Sequence, residues 1–166
     1  MRLLPYDKLL IHSPLPVGQA EARLRESVGP ERYLQFNAGP LPFLGEVNGT
    51  EVRIHRSTAH ENSFVPRIHA RLEVHEQGSR LAGTMSLHPF VLAFLVVWVT
   101  GTVIALRQMV ARASRGEPAS GVAIPIAMLA FMYLLTSVSF WWEADVARRH
   151  LKEILSSGEL DASGVK

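Results

Sequence analysis

Three histidines are the residues of this sequence whose type and spacing could do chemistry. His55, His69 and His75 lie in two segments, "EVRIHRS" and "RIHARLEVH", that also contain Glu51 and Glu73. Imidazole and carboxylate groups are suitable ligands for zinc and other divalent ions. Because neighbouring strands would bring two of these histidines within metal-binding distance, a metal-dependent membrane enzyme is one hypothesis that the sequence leaves open.

Arginines interleaved with these histidines favour a different chemistry. Arg53 and Arg71 would lie among the histidines and repel a bound cation. A mixture of His, Arg and Glu is typical of an ordinary exposed sheet face, and this is the stronger interpretation. Such a face could also contact anionic lipid headgroups. The candidate residues for a lipid surface are Arg53, Arg71, Arg148 and Arg149.

Several other functions are disfavoured by what the sequence lacks. It contains no cysteine, which excludes disulfides, thiolate nucleophiles and cysteine-based metal sites. It contains no phosphate loop, HExxH motif, nucleophile elbow or dinucleotide fingerprint, so we predict no catalytic residue and no cofactor. Residues 1–88 carry 10 Lys and Arg against 9 Asp and Glu, so a nucleic-acid partner is not expected.

Alternating apolar residues predict the strands that would hold the histidines. In "GEVNGTEVRIHRS", Asn48-Gly49 predicts a type I′ turn between strands at 44–47 and 51–57. Two further strands follow in "RIHARLEVH" and "RLAGTMSLH". The residues expected on the apolar face are Val52, Ile54, Ile68, Ala70, Leu72, Val74, Leu81, Met85 and Leu87. This pattern predicts a four-stranded antiparallel sheet with one apolar and one polar face. A short amphipathic helix is predicted over 17–28, between Pro16 and Gly29.

Two uncharged segments follow the last predicted strand. They cover 89–106 and 121–142, and as helices they would be roughly 27 and 33 Å long, close to the thickness of the bilayer hydrocarbon. Neither shows the polar stripe of a soluble helix. The connector at 107–120 contains three arginines. We therefore predict a two-helix transmembrane hairpin over 89–142, with the lipid bilayer as its partner.

These segments predict an α+β membrane protein with four parts. Residues 1–88 form a soluble α+β domain, 89–142 the hairpin, 143–158 an amphipathic helix and 159–166 a disordered tail. Three arginines in the connector against four basic residues in the flanks leave the orientation nearly undecided by charge. The N-terminus does not read as a secretory signal. We therefore expect both termini in the cytoplasm, with the hairpin in a bacterial inner (plasma) membrane.

The stretch "HENSFVPRIHARLEVHEQGSRLAGTMSLHPFVLAF" resembles a pattern in small, uncharacterised bacterial membrane proteins, and the similarity is best over residues 61–94. In that pattern an "NSF-aliphatic-P" loop precedes a strand pair, and a "hydrophobic-H-P-F" sequence enters a transmembrane hairpin. In layout alone the chain is similar to bacterial pleckstrin-homology-like membrane proteins, which combine a β domain, a hairpin and a closing helix. The resemblance implies this architecture and no particular activity.

The expected function is therefore that of an integral membrane protein without enzymatic activity. Its small domain would bind a protein partner, another copy of itself or lipid headgroups at the membrane surface. The alternatives are the metal-dependent enzyme and an accessory subunit of a larger membrane complex.

Overall fold

The computed structural model describes residues 4–30, 41–58, 63–116 and 121–156. The fold class is α+β. Six strands and three helices follow one another in the order β1 (Tyr6–Ser13), α1 (Val17–Ser27), β2 (Val28–Gly29), β3 (Phe43–Asn48), β4 (Glu51–Arg56), β5 (Arg67–His75), β6 (Gly78–Ser86), α2 (Pro89–Ala113) and α3 (Ala123–Ser156).

The sheet has six strands in the order β1-β6-β5-β4-β3-β2. Strands β3 to β6 correspond to the predicted four-stranded meander, but the prediction of a four-stranded sheet was wrong. Strand β1 pairs antiparallel with β6 from Tyr6 to Ser13, and the two-residue β2 pairs parallel with β3. In β1 Leu9 and Ile11 point into the core, while Leu10 is 54% exposed. Because Leu9, Leu10 and Ile11 are all apolar, the alternation that marks a strand is hidden in the sequence.

The hairpin between β3 and β4 turns on Gly49 rather than on the Asn48-Gly49 pair. Asn48 and Glu51 are directly paired, so Gly49 and Thr50 are the two turn residues. Gly49 has φ +58°, and no non-glycine residue in the described ranges has a positive φ. A type I′ turn needs positive φ at both central positions. The turn therefore has the glycine-first form expected of type II′, which corrects the predicted type.

One face of the sheet, here called the inner face, forms the core with α1 and the last part of α3. The core residues are Leu9, Ile11, Leu15, Phe43, Val47, Val52, Ile54, Ile68, Leu72, Leu81, Met85 and Leu87 from the strands and the segments that join them to the helices, Ala20 and Leu24 from α1, and Phe140, Ala144, Ala147, Leu151 and Leu155 from α3. The predicted inner positions are therefore buried, except for Ala70, which is partly buried, and Val74 at the end of β5, which is 84% exposed.

Helix α3 is a single continuous helix of 34 residues that belongs to two environments. Its first half exposes large apolar side chains such as Phe131 and Leu134, whereas its second half buries one residue per turn from Phe140 to Leu155. The segment predicted as an amphipathic helix over 143–158, continuing from the membrane, is the last part of this helix, which the structure describes as far as Ser156. The predicted disordered tail at 159–166 lies outside the described residues.

Helices α2 and α3 are both long and apolar enough to cross a membrane. None of the 25 residues of α2 is buried by the described part of the chain. Helix α2 continues past the predicted end of the first span at 106 and carries Arg107 and Arg112 in its last two turns. His88 caps its N-terminus, since the backbone N–H of Phe90 donates to His88 Nδ1 at 3.0 Å, and Pro89 occupies the first turn.

Candidate functional site

The polar side chains of the sheet lie together on the face opposite the helices, here called the outer face. The strand register arranges them in rows across the sheet. The row nearest the hairpin of α2 and α3 places His55 opposite Arg67, Arg67 opposite Ser86, and Ser86 opposite Tyr6. Only two residues separate the end of β6 at Ser86 from the start of α2 at Pro89. Ser86 of this row therefore lies within roughly 10 Å of Pro89, the first residue of α2.

The next row lies two residues further along the strands, about 7 Å from the first. It places Glu46 opposite Arg53, Arg53 opposite His69, His69 opposite Thr84, and Thr84 opposite Lys8. Directly opposed side chains of an antiparallel pair have their Cβ atoms about 4.5–5.5 Å apart. Each arginine of the two rows thus faces a histidine on the neighbouring strand.

These two rows line an open depression of about 270 Å³. Its polar lining comes from Glu46, Arg53, His55, Arg67 and His69. We call this depression the basic pocket. Two arginines against one glutamate leave a formal charge of +1 with both histidines neutral. The Glu46 carboxylate also accepts a hydrogen bond from the side-chain amide of Asn48, the last residue of β3, at 3.2 Å.

A third row, further from the hairpin, holds an ion-pair network. The Glu51 carboxylate accepts from Arg71 at 2.9 Å and from Arg53 at 3.5 Å. The hydrogen bond from Arg71 and the charges of Arg53 and Arg71 hold the pKa of Glu51 below its ordinary value. Glu51 therefore remains an anion at neutral pH. Its charge competes for Arg53, which also lines the basic pocket.

The far end of the outer face brings His75 close to a histidine that the sequence did not single out. The rings of His12 and His75 have centroids 4.8 Å apart and are tilted by 42°. The neighbouring Glu73 carboxylate accepts from Arg80 at 2.6 Å. In the described part of the chain, this pair of histidines is not part of any group of three or more His, Asp or Glu side chains that could hold a metal ion.

The structure divides the three histidines predicted as metal-ligand candidates between two places. His55 and His69 line the basic pocket, whereas His75 is at the opposite end of β5. Within residues 4–30, 41–58, 63–116 and 121–156, no group of three or more His, Asp or Glu side chains could hold a metal ion. Two arginines also line the pocket with His55 and His69, and their charge disfavours a cation there.

The four arginines predicted for a lipid surface also have different surroundings. Arg53 and Arg71 are on the outer face, with side chains 68% and 62% exposed. Arg148 on α3 is instead paired with Asp7 of β1 and lies 3.6 Å from Asp145. Arg149 is exposed on α3. A role of any of them at a lipid surface stays a prediction.

Two ion pairs join α3 to strands β1 and β4, in the part of α3 that follows its apolar first half. Arg148 reaches Asp7 at one edge, and Arg56 at the end of β4 contacts Glu143 at 2.6 Å. The side chains of Arg56 and Glu143 are only 24% and 14% exposed, so this pair is well shielded from water. Together with the core contacts of α3, these pairs set the angle between the hairpin and the sheet. The outer face is therefore held in one position relative to the hairpin.

Sequence reasoning located most of this face but missed two of its contributors. Lys8 and His12 were missed because β1 was not recognised as a strand. Arg67 was placed on the polar side of its strand but was not singled out as a site residue. Lys8 and His12 lie on the same face as Leu10, and the apolar run from Leu9 to Ile11 between them hides the alternation of β1.

Comparisons of the chain with protein-family models, with curated proteins and with solved structures find no match.

Proposed function

We propose that this protein is a membrane-anchored interaction module without enzymatic activity. The hairpin of α2 and α3 crosses the bilayer and holds the α+β domain at the membrane surface. The outer face is the surface that the domain presents to its ligand. The hairpin is in a bacterial inner membrane, and the domain is on the cytoplasmic side.

The observation that carries this proposal is the change of environment along α3. From Ala123 to Trp142 the helix would span roughly 30 Å, which matches the bilayer hydrocarbon. From Phe140 onward it is part of the core of the domain. A helix that is apolar and exposed over one half and packed in a protein core over the other couples a membrane anchor rigidly to a folded domain.

The lack of cover on α2 supports the same proposal. An apolar helix of a soluble protein is buried against other elements, whereas α2 has none of its residues buried by the described part of the chain. Phe94, Val96 and Val99, which lie on different sides of the helix, would expose their side chains to water. Lipid is the solvent that makes this arrangement stable.

The alternative of a metal-dependent enzyme has no comparable support among the described residues, because the three candidate histidines are divided between two places.

Membrane extraction and protease protection test the proposal on the full chain. We expect the protein to stay in the membrane pellet after alkaline carbonate washing and to be released only by detergent. In sealed inverted vesicles, whose cytoplasmic face is outside, protease should digest the domain. Release by carbonate alone would contradict the anchor, and protection of the domain in inverted vesicles would reverse the orientation.

A further inference from the structure

We propose that the basic pocket binds a phosphate group at the membrane surface. This inference rests on the proposed function, because it needs the hairpin to place the pocket beside the bilayer. It adds a ligand chemistry and names the side chains that hold it.

The arrangement of donors is the first argument. Arg53 and His69 form one directly opposed pair, and His55 and Arg67 form the next. The two arginines are thus diagonal neighbours across β4 and β5, a separation of roughly 7–8 Å between backbones that long side chains span readily. A guanidinium group binds two phosphate oxygens through a pair of parallel N–H donors, and an imidazole N–H supplies one more. Two arginines and two histidines can therefore surround the oxygens of one phosphate.

The shape of the surface is the second argument. A flat polar sheet face offers its charges side by side, whereas these four side chains line a depression of about 270 Å³. That volume exceeds what one phosphate group fills, so the site also has room for the ester substituent of a larger ligand. The depression excludes part of the water around the bound anion, which strengthens each charged hydrogen bond.

The position of the pocket is the third argument. Arg67 is paired with Ser86, which lies within roughly 10 Å of the start of α2, and the row of Arg53 and His69 lies about 7 Å further along the strands. Lipid phosphates occupy the zone of a few ångströms just outside the hydrocarbon. The distance from the pocket to this zone is comparable to the Debye length at physiological ionic strength, so the attraction between the pocket and the headgroups is only partly screened. A lipid headgroup and a soluble phosphate ester share the same binding chemistry here.

The network around Glu51 sets the strength of the site. Arg53 contacts Glu51 at 3.5 Å while its side chain is also at the pocket. Replacing Glu51 with glutamine removes the competing anion and leaves Arg53 available to the ligand. A change outside the pocket should therefore increase phosphate binding, which a variant that merely disturbs the fold would not do.

The test uses the full chain in nanodiscs of phosphatidylcholine, with inorganic phosphate as the probe and the histidine ring NMR signals as the readout. We expect phosphate to shift the signals of His55 and His69 and to leave His75 unmoved. Arg53→Gln or Arg67→Gln should weaken binding by about tenfold, the value of one charge-assisted hydrogen bond. Arg80→Gln is the matched control, since it removes the same charge from the same face two rows further from the pocket, at an arginine paired with Glu73 rather than with Glu51, and should change the affinity less than about twofold. Glu51→Gln should strengthen it.

Equal losses in the Arg67→Gln and Arg80→Gln variants would overturn the proposal, because they would indicate a diffuse charge effect rather than a site. Absence of any shift at His55 and His69 would also overturn it. In either case a chain that still resists carbonate extraction would leave the proposed membrane anchoring intact, so the two failures are distinguishable.

The source of the phosphate is decided by changing the lipid. Nanodiscs containing about 20% phosphatidic acid are compared with nanodiscs containing about 20% phosphatidylglycerol, which has a similar surface charge but no phosphate monoester. Weaker binding of inorganic phosphate with phosphatidic acid than with phosphatidylglycerol identifies a lipid headgroup as the occupant. Equal binding in the two identifies a soluble phosphate compound.

Discussion

Leu151 offers the most direct probe of how the domain is fixed to the hairpin. Its side chain is fully buried in the core, on the half of α3 that packs against the sheet and α1. Leu151→Ala removes three carbon groups, worth about 0.8 kcal/mol each on burial, and leaves a cavity. The expected loss is about 3 kcal/mol, within the range found for buried leucines. This is a large part of the stability of about 5–15 kcal/mol that domains possess.

Urea titration of the full chain in nanodiscs, followed by a short pulse of protease, measures this loss. With a slope of about 2 kcal/mol per molar urea, the midpoint should fall by about 1.5 M. Leu134→Ala is the matched control, because it makes the same chemical change in the same helix at a side chain that is 58% exposed. In the proposed membrane arrangement lipid chains fill the space it leaves, so the stability of the domain should change by less than about 0.5 kcal/mol.

Two results would refute this reasoning. An unchanged midpoint in Leu151→Ala would mean that the end of α3 does not belong to the core of the domain. Equal losses in Leu151→Ala and Leu134→Ala would mean that both halves of α3 are packed in protein, which removes the argument for a membrane anchor.

Three further predictions concern the ion pairs and the sheet. Arg56→Ala removes a partner of the mostly buried Glu143 and should lower the free energy of unfolding by about 2 kcal/mol in the same urea assay, whereas Arg56→Lys should lower it less. An unchanged midpoint would contradict a stabilising role for the Arg56–Glu143 ion pair. The lowered pKa of Glu51 contributes stability above its unfolded pKa of about 4.3 that is lost as the pH falls through the folded value. The difference in the free energy of unfolding between Glu51→Gln and the parent protein should therefore be present at neutral pH and vanish in acid. A difference independent of pH would count against the ion pairing of Glu51 with Arg71 and Arg53. At Gly83 a Cβ would lie 2.2 Å from a backbone oxygen of β5, so Gly83→Ala should cost about 3 kcal/mol. Gly18→Ala in α1, where no atom lies within 4 Å, should be neutral or stabilising, and equal effects at the two glycines would exclude the clash.

The sequence predicted the elements whose signals are local. Strands β4 to β6 alternate over several residues, and the inward positions Val52, Ile54 and Ile68 are buried as expected. The α+β class and the two long apolar helices follow from the same kind of pattern. Each of these features depends only on residues that are close together along the chain.

The parts that depend on distant residues could not be predicted. Strand β1 is stabilised by pairing with β6, which lies more than sixty residues later, and its exposed Leu10 hides its alternation. The basic pocket depends on the register between β4 and β5, which places Arg53 beside His69 and separates His75 from both. No local pattern specifies that register, since a shift of two residues would keep the same faces buried.

The central claim is that lipid is the solvent of α2 and of the first half of α3. The chain has no cysteine, so single cysteines introduced at Val97, Leu134 and Lys152 can each carry a nitroxide label without competing sites. In bilayers we predict that labels at Val97 and Leu134 collide often with oxygen and rarely with a water-soluble nickel chelate, and that the label at the exposed Lys152 shows the reverse. Equal access of the nickel chelate to all three positions would contradict the account.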